Sequence, residues 1–239
     1  MAVITIDIIS DVICPWCFIG YLDLKKAISL YQKTYPGGSK DDFQLSWKPY
    51  FLDQEEPKER ELINDRMHRR MDAKMVHGAQ TRLQRIGAGL GIDFKFGGYI
   101  GSSRLAHRLL HIVGAEMGGV VQSEVSEMLF RYQFEREEDV SQLETLVKAG
   151  VEAGLEEGVV RGWLGGEGEG GRWSGLGGVI EGEAKRAREG EVKGVPHYVI
   201  GGKHHIDGAV DVAEFFEKVV EVREGRGEEG ATISTGMGC

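Results

Sequence analysis

Cys14 and Cys17, separated by Pro15 and Trp16, are the residues whose types and spacing most directly promise chemistry. They follow an apolar, strand-like run, Val3-Ile4-Thr5-Ile6-Asp7-Ile8-Ile9, and open a helix-like run from Cys17 to Tyr31. Two thiols at the start of a helix form a dithiol/disulfide switch. The first would sit where unpartnered backbone N–H groups and the positive end of the helix dipole favour the thiolate, the nucleophilic form of the side chain. Pro15 suits the first helical turn, where its missing N–H costs nothing. A structural zinc site would instead draw four ligands from two such pairs or from Cys/His clusters. Here the third cysteine is Cys239, the last residue, and His204 and His205 are adjacent. No metal is expected.

The elements that must hold the thiols can be read from periodicity. Leu22, Leu24, Ala27, Ile28 and Tyr31 recur at helical spacing until Pro36-Gly37-Gly38 stops the run. Phe43 to Leu52 then alternates like a strand, with Pro49 marking an edge or a bulge. A β-α-β unit therefore opens the chain. Its middle changes character: Lys58 to Leu90 is charged, Met-rich and free of proline, while 102–117, 120–134 and 140–153 place apolar residues at i, i+3 and i+4. This predicts a helical segment. Met67, Met71 and Met75 fall on one helical face and read as core or a helix–helix seam, although flexible thioethers also suit an adaptable apolar groove.

Residues 154–178 show no periodicity and predict a mobile loop, with 165–178 as its glycine-rich part. The tract lacks the Gly-Lys-Ser/Thr ending of a phosphate loop, and its acidic residues would repel phosphate. A short helix over 179–189 follows. Tyr198-Val199-Ile200, Gly201-Gly202 and Lys203-His204-His205-Ile206 read as a hairpin, Val212 to Val222 as an amphipathic helix, and 223–239 as a flexible tail ending in Cys239.

With 239 residues, 41% of them hydrophobic, the chain can bury a substantial core. A formal net charge of −9 argues against nucleic acid and against an anionic membrane surface, both of which call for basic patches. No apolar run approaches the roughly 18 residues of a membrane span. The first residues read as a strand and not as a secretion signal. With three cysteines, a disulfide framework is not expected. A cytoplasmic, reducing location is expected, where a C-x-x-C pair is catalytic or redox-sensing.

The order of elements resembles the DsbA branch of the thioredoxin superfamily. Ser10-Asp11-Val12-Ile13-Cys14-Pro15-Trp16-Cys17-Phe18-Ile19-Gly20 is similar to the opening of the FrnE-like group, which is related to 2-hydroxychromene-2-carboxylate isomerases and kappa-class glutathione transferases. Ser102-Ser103-Arg104-Leu105-Ala106-His107-Arg108-Leu109 resembles that group's Asn-Thr-x-x-Ala-His-Arg-Leu. Leu129 to Phe134 resembles its Leu-Phe-x-Ala-Tyr-Phe, and Gly194-Val195-Pro196-His197-Tyr198-Val199-Ile200 its Gly-Val-Pro-x-Phe-Val.

The resemblance implies an α/β, thioredoxin-like fold with an inserted all-helical domain: a discontinuous thioredoxin-like part over 1–57 and 190–222, and a helical insertion over 58–189. It implies that Cys14, exposed at the helix start, attacks, that Cys17 resolves the mixed disulfide, and that Pro15 and Trp16 tune the potential. It also implies a cis Val195–Pro196 bond beside the cysteines, leaving the Val195 backbone free to pair with an extended substrate or with glutathione. Ser102 then reads as a helix N-cap, His107 as a packing residue, and His197 as facing either cleft or core. The implied activity is thiol–disulfide exchange without a bound cofactor, with glutathione or another thiol as co-substrate. Its partner would be a cysteine-containing protein or peptide, or a small thiol or electrophile. Two alternatives stay open: a glutathione-dependent isomerase or transferase acting on a small aromatic or electrophilic molecule, and a redox-sensing module without turnover. Against the former, the related enzymes carry serine where this chain has Cys14, and Asp211 stands one position off their acidic residue near the end.

Overall fold

The computed structural model describes residues 1–57, 59–165, 173–190 and 192–225. Strand β1 (Val3–Ser10) turns Ile4, Ile6 and Ile8 into the core, and helix α1 (Pro15–Thr34) follows, with Cys17, Phe18, Leu24, Ala27 and Tyr31 on its buried face. The Tyr35 N–H closes its last turn on the Tyr31 carbonyl, and Gly37 reverses the chain at a φ of 82° that favours glycine. Strand β2 (Asp42–Pro49) returns parallel to β1, with Val3 opposite Asp42 and Ser10 opposite Pro49.

Next come β3 (Glu61–Leu62), α2 (Ile63–Arg70), α3 (Ala73–Leu90), β4 (Tyr99–Ile100), α4 (Arg104–Phe134), α5 (Leu143–Glu152), α6 (Glu157–Gly165) and α7 (Leu176–Glu189). The chain then re-enters the main sheet through β5 (His197–Ile200) and β6 (His204–Asp207) and ends its described part with α8 (Val212–Arg223). The main sheet is mixed and runs β2-β1-β5-β6; β5 is antiparallel to β1, with Ile8 opposite Tyr198. β3 and β4 form a separate two-stranded ladder. Among the described residues, no helix is long and apolar enough to cross a membrane.

Two cores meet at the turn that carries the thiols. One packs the sheet against α1 and α8 and includes Ile6, Ile8, Cys14, Cys17, Phe18, Tyr31, Tyr198 and Phe215. The other, formed by the helices, includes Leu109, Val113, Val125, Leu129 and Val147, and it takes in Val12 and Ile13 from the same turn. Full burial of such a side chain contributes about 1.5–3 kcal/mol, against about 1 kcal/mol net for a hydrogen bond. Packing therefore dominates in fixing the residues just before Cys14.

The β2 edge is covered by a helix. Gln122 Oε1 accepts from Trp47 N–H at 3.0 Å while its Nε2 donates to the Leu110 carbonyl, also at 3.0 Å. Trp47 Nε1 donates to Ser123 Oγ at 2.9 Å. This approach needs two glycines: Gly118 breaks α4 with a φ of 83°, and a Cβ on Gly119 would strike the Leu45 carbonyl.

Several expectations change. The Lys58–Leu90 run is not one helix, because Asp72 caps a new one by accepting the Met75 N–H. Met67 and Met75 thus lie on different helices, and Met75 is 57% exposed, so the three methionines do not form a single core face. The runs 102–117 and 120–134 join across Gly118 in α4. The loop predicted over 154–178 contains α6, which buries Val160 and Leu164, and α7 begins at Leu176 because Leu176, Ile180 and Ala184 pack against Phe51 and Ile112. Residues 166–172 of the glycine-rich tract lie outside the described residues. The tail begins later than 223: Arg223 closes α8 and donates to Asp41 at 2.7 Å. Residues 226–239, with Cys239, lie outside the described residues.

Candidate active site

Cys14 occupies the N-cap of α1, with Pro15 in the first turn. Its N–H donates to the Asp11 carbonyl at 3.0 Å, and its own carbonyl accepts from Cys17 N–H at 3.1 Å. Both cysteines are free thiols. Cys14 is only 4% exposed, contrary to the expected open position, and Cys17 is 1% exposed. Cys14 sits in the core with the Val195 backbone against it: its Sγ lies 3.7 Å from the Val195 carbonyl, which accepts a weak hydrogen bond from the thiol. Burial pushes the Cys17 thiol well up; its hydrogen bond with Cys14 and the Cys14 charge add to the rise, while the Ser10 side chain and the Asp11 backbone oppose it.

The loop facing the thiols begins β5. The Val195–Pro196 peptide is cis, and the Pro196 carbonyl accepts the Gly208 N–H at 2.8 Å. Gly20 lets α1 close on this loop. A Cβ there would come within 3.2 Å of Pro196 Cγ and 3.4 Å of Ala209 Cα, and would meet the Tyr198 hydroxyl. Tyr198 is wholly buried and its hydroxyl has no hydrogen-bond partner among the described residues. Burial first, and then the charges of Cys17 and Cys14, push its ionisation far up, so it stays neutral. On the other side, the Arg82 guanidinium of α3 stacks 4.8 Å from the Trp16 ring centroid.

Asp11 is a residue sequence reasoning passed over. Fully buried, it accepts the Leu52 N–H at 2.8 Å and lies 3.3 Å from His107 Nε2. His107 also packs edge-on to Phe51. The Asp11–His107 pair thus ties the turn before Cys14 to α4 and to the exit of β2. The two residues are 96 positions apart, and nothing local in the sequence signals their meeting.

The remaining candidates lie away from the thiols or change role. His197 is buried and faces β6, with Nδ1 2.7 Å from Asp207 Oδ1 and Nε2 2.9 Å from His205 Nδ1. Ser102 is not the N-cap: α4 starts one residue later than that role requires, with Ser103 at the cap position. The Ser102 hydroxyl instead donates to Glu56 at 2.8 Å and accepts the Arg104 N–H at 3.4 Å.

A family model described as DSBA-like thioredoxin domain matches residues 5–220. Among solved structures, the chain is similar to a probable DsbA oxidoreductase from Streptomyces coelicolor, with 20% identity, coverage of 94% of this chain and 92% of that one, and a TM-score of 0.78. It is similar to a 2-hydroxychromene-2-carboxylate isomerase at 16% identity, covering 93% of this chain and 95% of that one, with a TM-score of 0.60. The cytosolic disulfide reductase DsbM from Pseudomonas aeruginosa matches at 14% identity over 92% of this chain and 96% of that one, with a TM-score of 0.58; it has also been solved with GSH. No curated protein matches the sequence at a significant level. At these identities the likenesses concern the fold.

Proposed function

We propose, from the premise that the chain belongs to the family of DSBA-like thioredoxin domains, that it catalyses thiol–disulfide exchange through Cys14 and Cys17. One observation carries the reading: a first thiol at a helix N-cap, facing a backbone carbonyl at 3.7 Å, stands in hydrogen-bonding contact with a second thiol one turn deeper. The Cys14 thiolate attacks a substrate disulfide, forming a Cys14–substrate bond and releasing the first substrate thiolate. Cys17 then gives up its proton and attacks Cys14 Sγ, releasing the second substrate thiolate and closing the Cys14–Cys17 disulfide. The substrate gains two electrons and the protein loses them; the reverse sequence oxidises a dithiol substrate.

Each residue has a role in this scheme. Cys14 is the nucleophile and Cys17 the resolving thiol, while Pro15 and Trp16 tune the potential of the pair. The backbone of Val195 and Pro196 offers the edge on which an extended, cysteine-containing protein or peptide docks, replacing the weak contact between the Val195 carbonyl and Cys14. No bound cofactor is required. Glutathione or another thiol serves as co-substrate, a role supported by the fold shared with a cytosolic disulfide reductase solved with GSH.

Dithiothreitol-driven reduction of insulin tests the reading. The protein should accelerate it, and Cys14→Ser should abolish the acceleration. Catalysis that survives Cys14→Ser would remove the assignment. An activity on a small electrophile that survives Cys17→Ser would favour a glutathione-dependent isomerase or transferase instead.

A further inference from the structure

Helix α3 has a charge balance unlike the rest of the chain. In a protein of formal net charge −9, it carries Lys74, Arg82 and Arg85 and no acidic residue. Several arginines elsewhere are neutralised: Arg66 holds Asp53, Arg131 holds Glu127 and Glu135, Arg136 holds Glu152, and Arg223 holds Asp41. Among the described residues, none of the three α3 cations has a carboxylate within ion-pair distance. Arg82 is nevertheless held in place, stacked over the Trp16 indole two positions after Cys14. An arginine on a tryptophan face is stable without a ligand, so the stack alone decides nothing. Together with the missing carboxylate, however, the stack leaves a positioned guanidinium over the indole that directly follows Pro15 in the Cys14–Cys17 motif, with N–H groups whose fork matches a carboxylate. Arg85, three residues on, shares that side of the helix and adds to the positive field.

We propose that Arg82 reads substrate charge: it is a specificity-determining residue that binds a carboxylate of the thiol or disulfide docked at Cys14, so that the site prefers anionic disulfides. The proposal rests on the exchange reading above and deepens it by naming the substrate class. The contact with Trp16 holds the guanidinium in place, so a carboxylate is met by a group that has already lost much of its freedom.

Steady-state exchange with three small disulfides tests it: glutathione disulfide, which is anionic, 2-hydroxyethyl disulfide, which is neutral, and cystamine, which is cationic. The wild-type protein should favour glutathione disulfide in kcat/KM over cystamine, and the preference should shrink as ionic strength rises from about 0.01 M to about 1 M. Arg82→Gln should reduce that preference on the order of fivefold, mostly through KM, the effect of roughly one partly exposed charge pair. Arg82→Glu should reverse it. A wild-type protein that shows no salt-sensitive charge preference, or an Arg82→Gln variant that keeps the whole preference, would overturn the proposal and leave the exchange reading standing. Failure of the wild-type protein to turn over any of the three disulfides would overturn both.

Discussion

Cys17 is enclosed by core side chains, and that enclosure pushes its thiol well above the ordinary cysteine range. Below the raised value the sulfur is neutral, and the attacking thiolate gains about tenfold with each pH unit. Resolution of a mixed disulfide at Cys14 should therefore keep accelerating beyond about pH 8.5, the usual thiol value. Stopped-flow decay of such an adduct checks this, and a plateau at or below about pH 8 would contradict it. In the reduced protein, iodoacetamide should label Cys14 at least about tenfold faster than Cys17, as peptide mapping will show. Equal rates would contradict the assignment of the two roles. The spacing of the thiols and their place at a helix start were legible in the sequence, whereas the burial of Cys14 was not, because the Val195 backbone against it lies 181 positions away.

Helix α1 owes its closeness to the start of β5 to Gly20. A side chain there would press on Pro196 Cγ, Ala209 Cα and the Tyr198 hydroxyl. Gly20→Ala should cost roughly 1–3 kcal/mol, the usual range for overpacking a filled core. It should also slow exchange, because the displaced loop takes the Val195 carbonyl off Cys14. Urea denaturation and insulin turnover measure the two effects, and a variant with wild-type values in both would show that the contact is slack. At this scale sequence patterns served unevenly. β1, α1, β2, the β5–β6 hairpin and α8 announce themselves through apolar period and turn residues. β3 and β4, at two residues each, are too short to carry a period. The break between α2 and α3 depends on a single Asp72 cap, and the start of α7 on apolar contacts with Phe51 and Ile112 that lie far away in the chain.

Taken whole, the molecule is tied at its far end by a carboxylate. The Asp41 side chain, fully buried, accepts from Ala2 N–H at 2.6 Å, Tyr31 hydroxyl at 2.8 Å and Arg223 Nε at 2.7 Å, linking the start of the chain, α1 and α8. The Ala2 N–H, with Arg223 and Tyr31, outweighs burial and brings its pKa down to about 2. A depressed carboxyl stabilises the fold above the unfolded value of about 3.9 and loses that contribution as pH falls. Asp41→Asn should lower Tm at neutral pH and flatten the acid limb between about pH 4 and about pH 2, where the buried carboxyl titrates. Calorimetry across that range decides, and an unchanged Tm would contradict the account. The global architecture was legible because both ends of the chain carry strand and helix patterns around a helical middle. Ties such as Asp41–Arg223 and Asp11–His107 were not, since each joins residues distant in sequence through one polar contact.

The central claim is that Cys14 attacks and Cys17 resolves. Mass spectrometry of the reduced protein mixed with glutathione disulfide tests it most directly. The wild-type protein should pass to a Cys14–Cys17 disulfide without lasting adduct, whereas Cys17→Ser should stop as a glutathione adduct mapped to Cys14. A Cys17→Ser protein that forms no adduct, or carries it on a residue other than Cys14, would contradict the account.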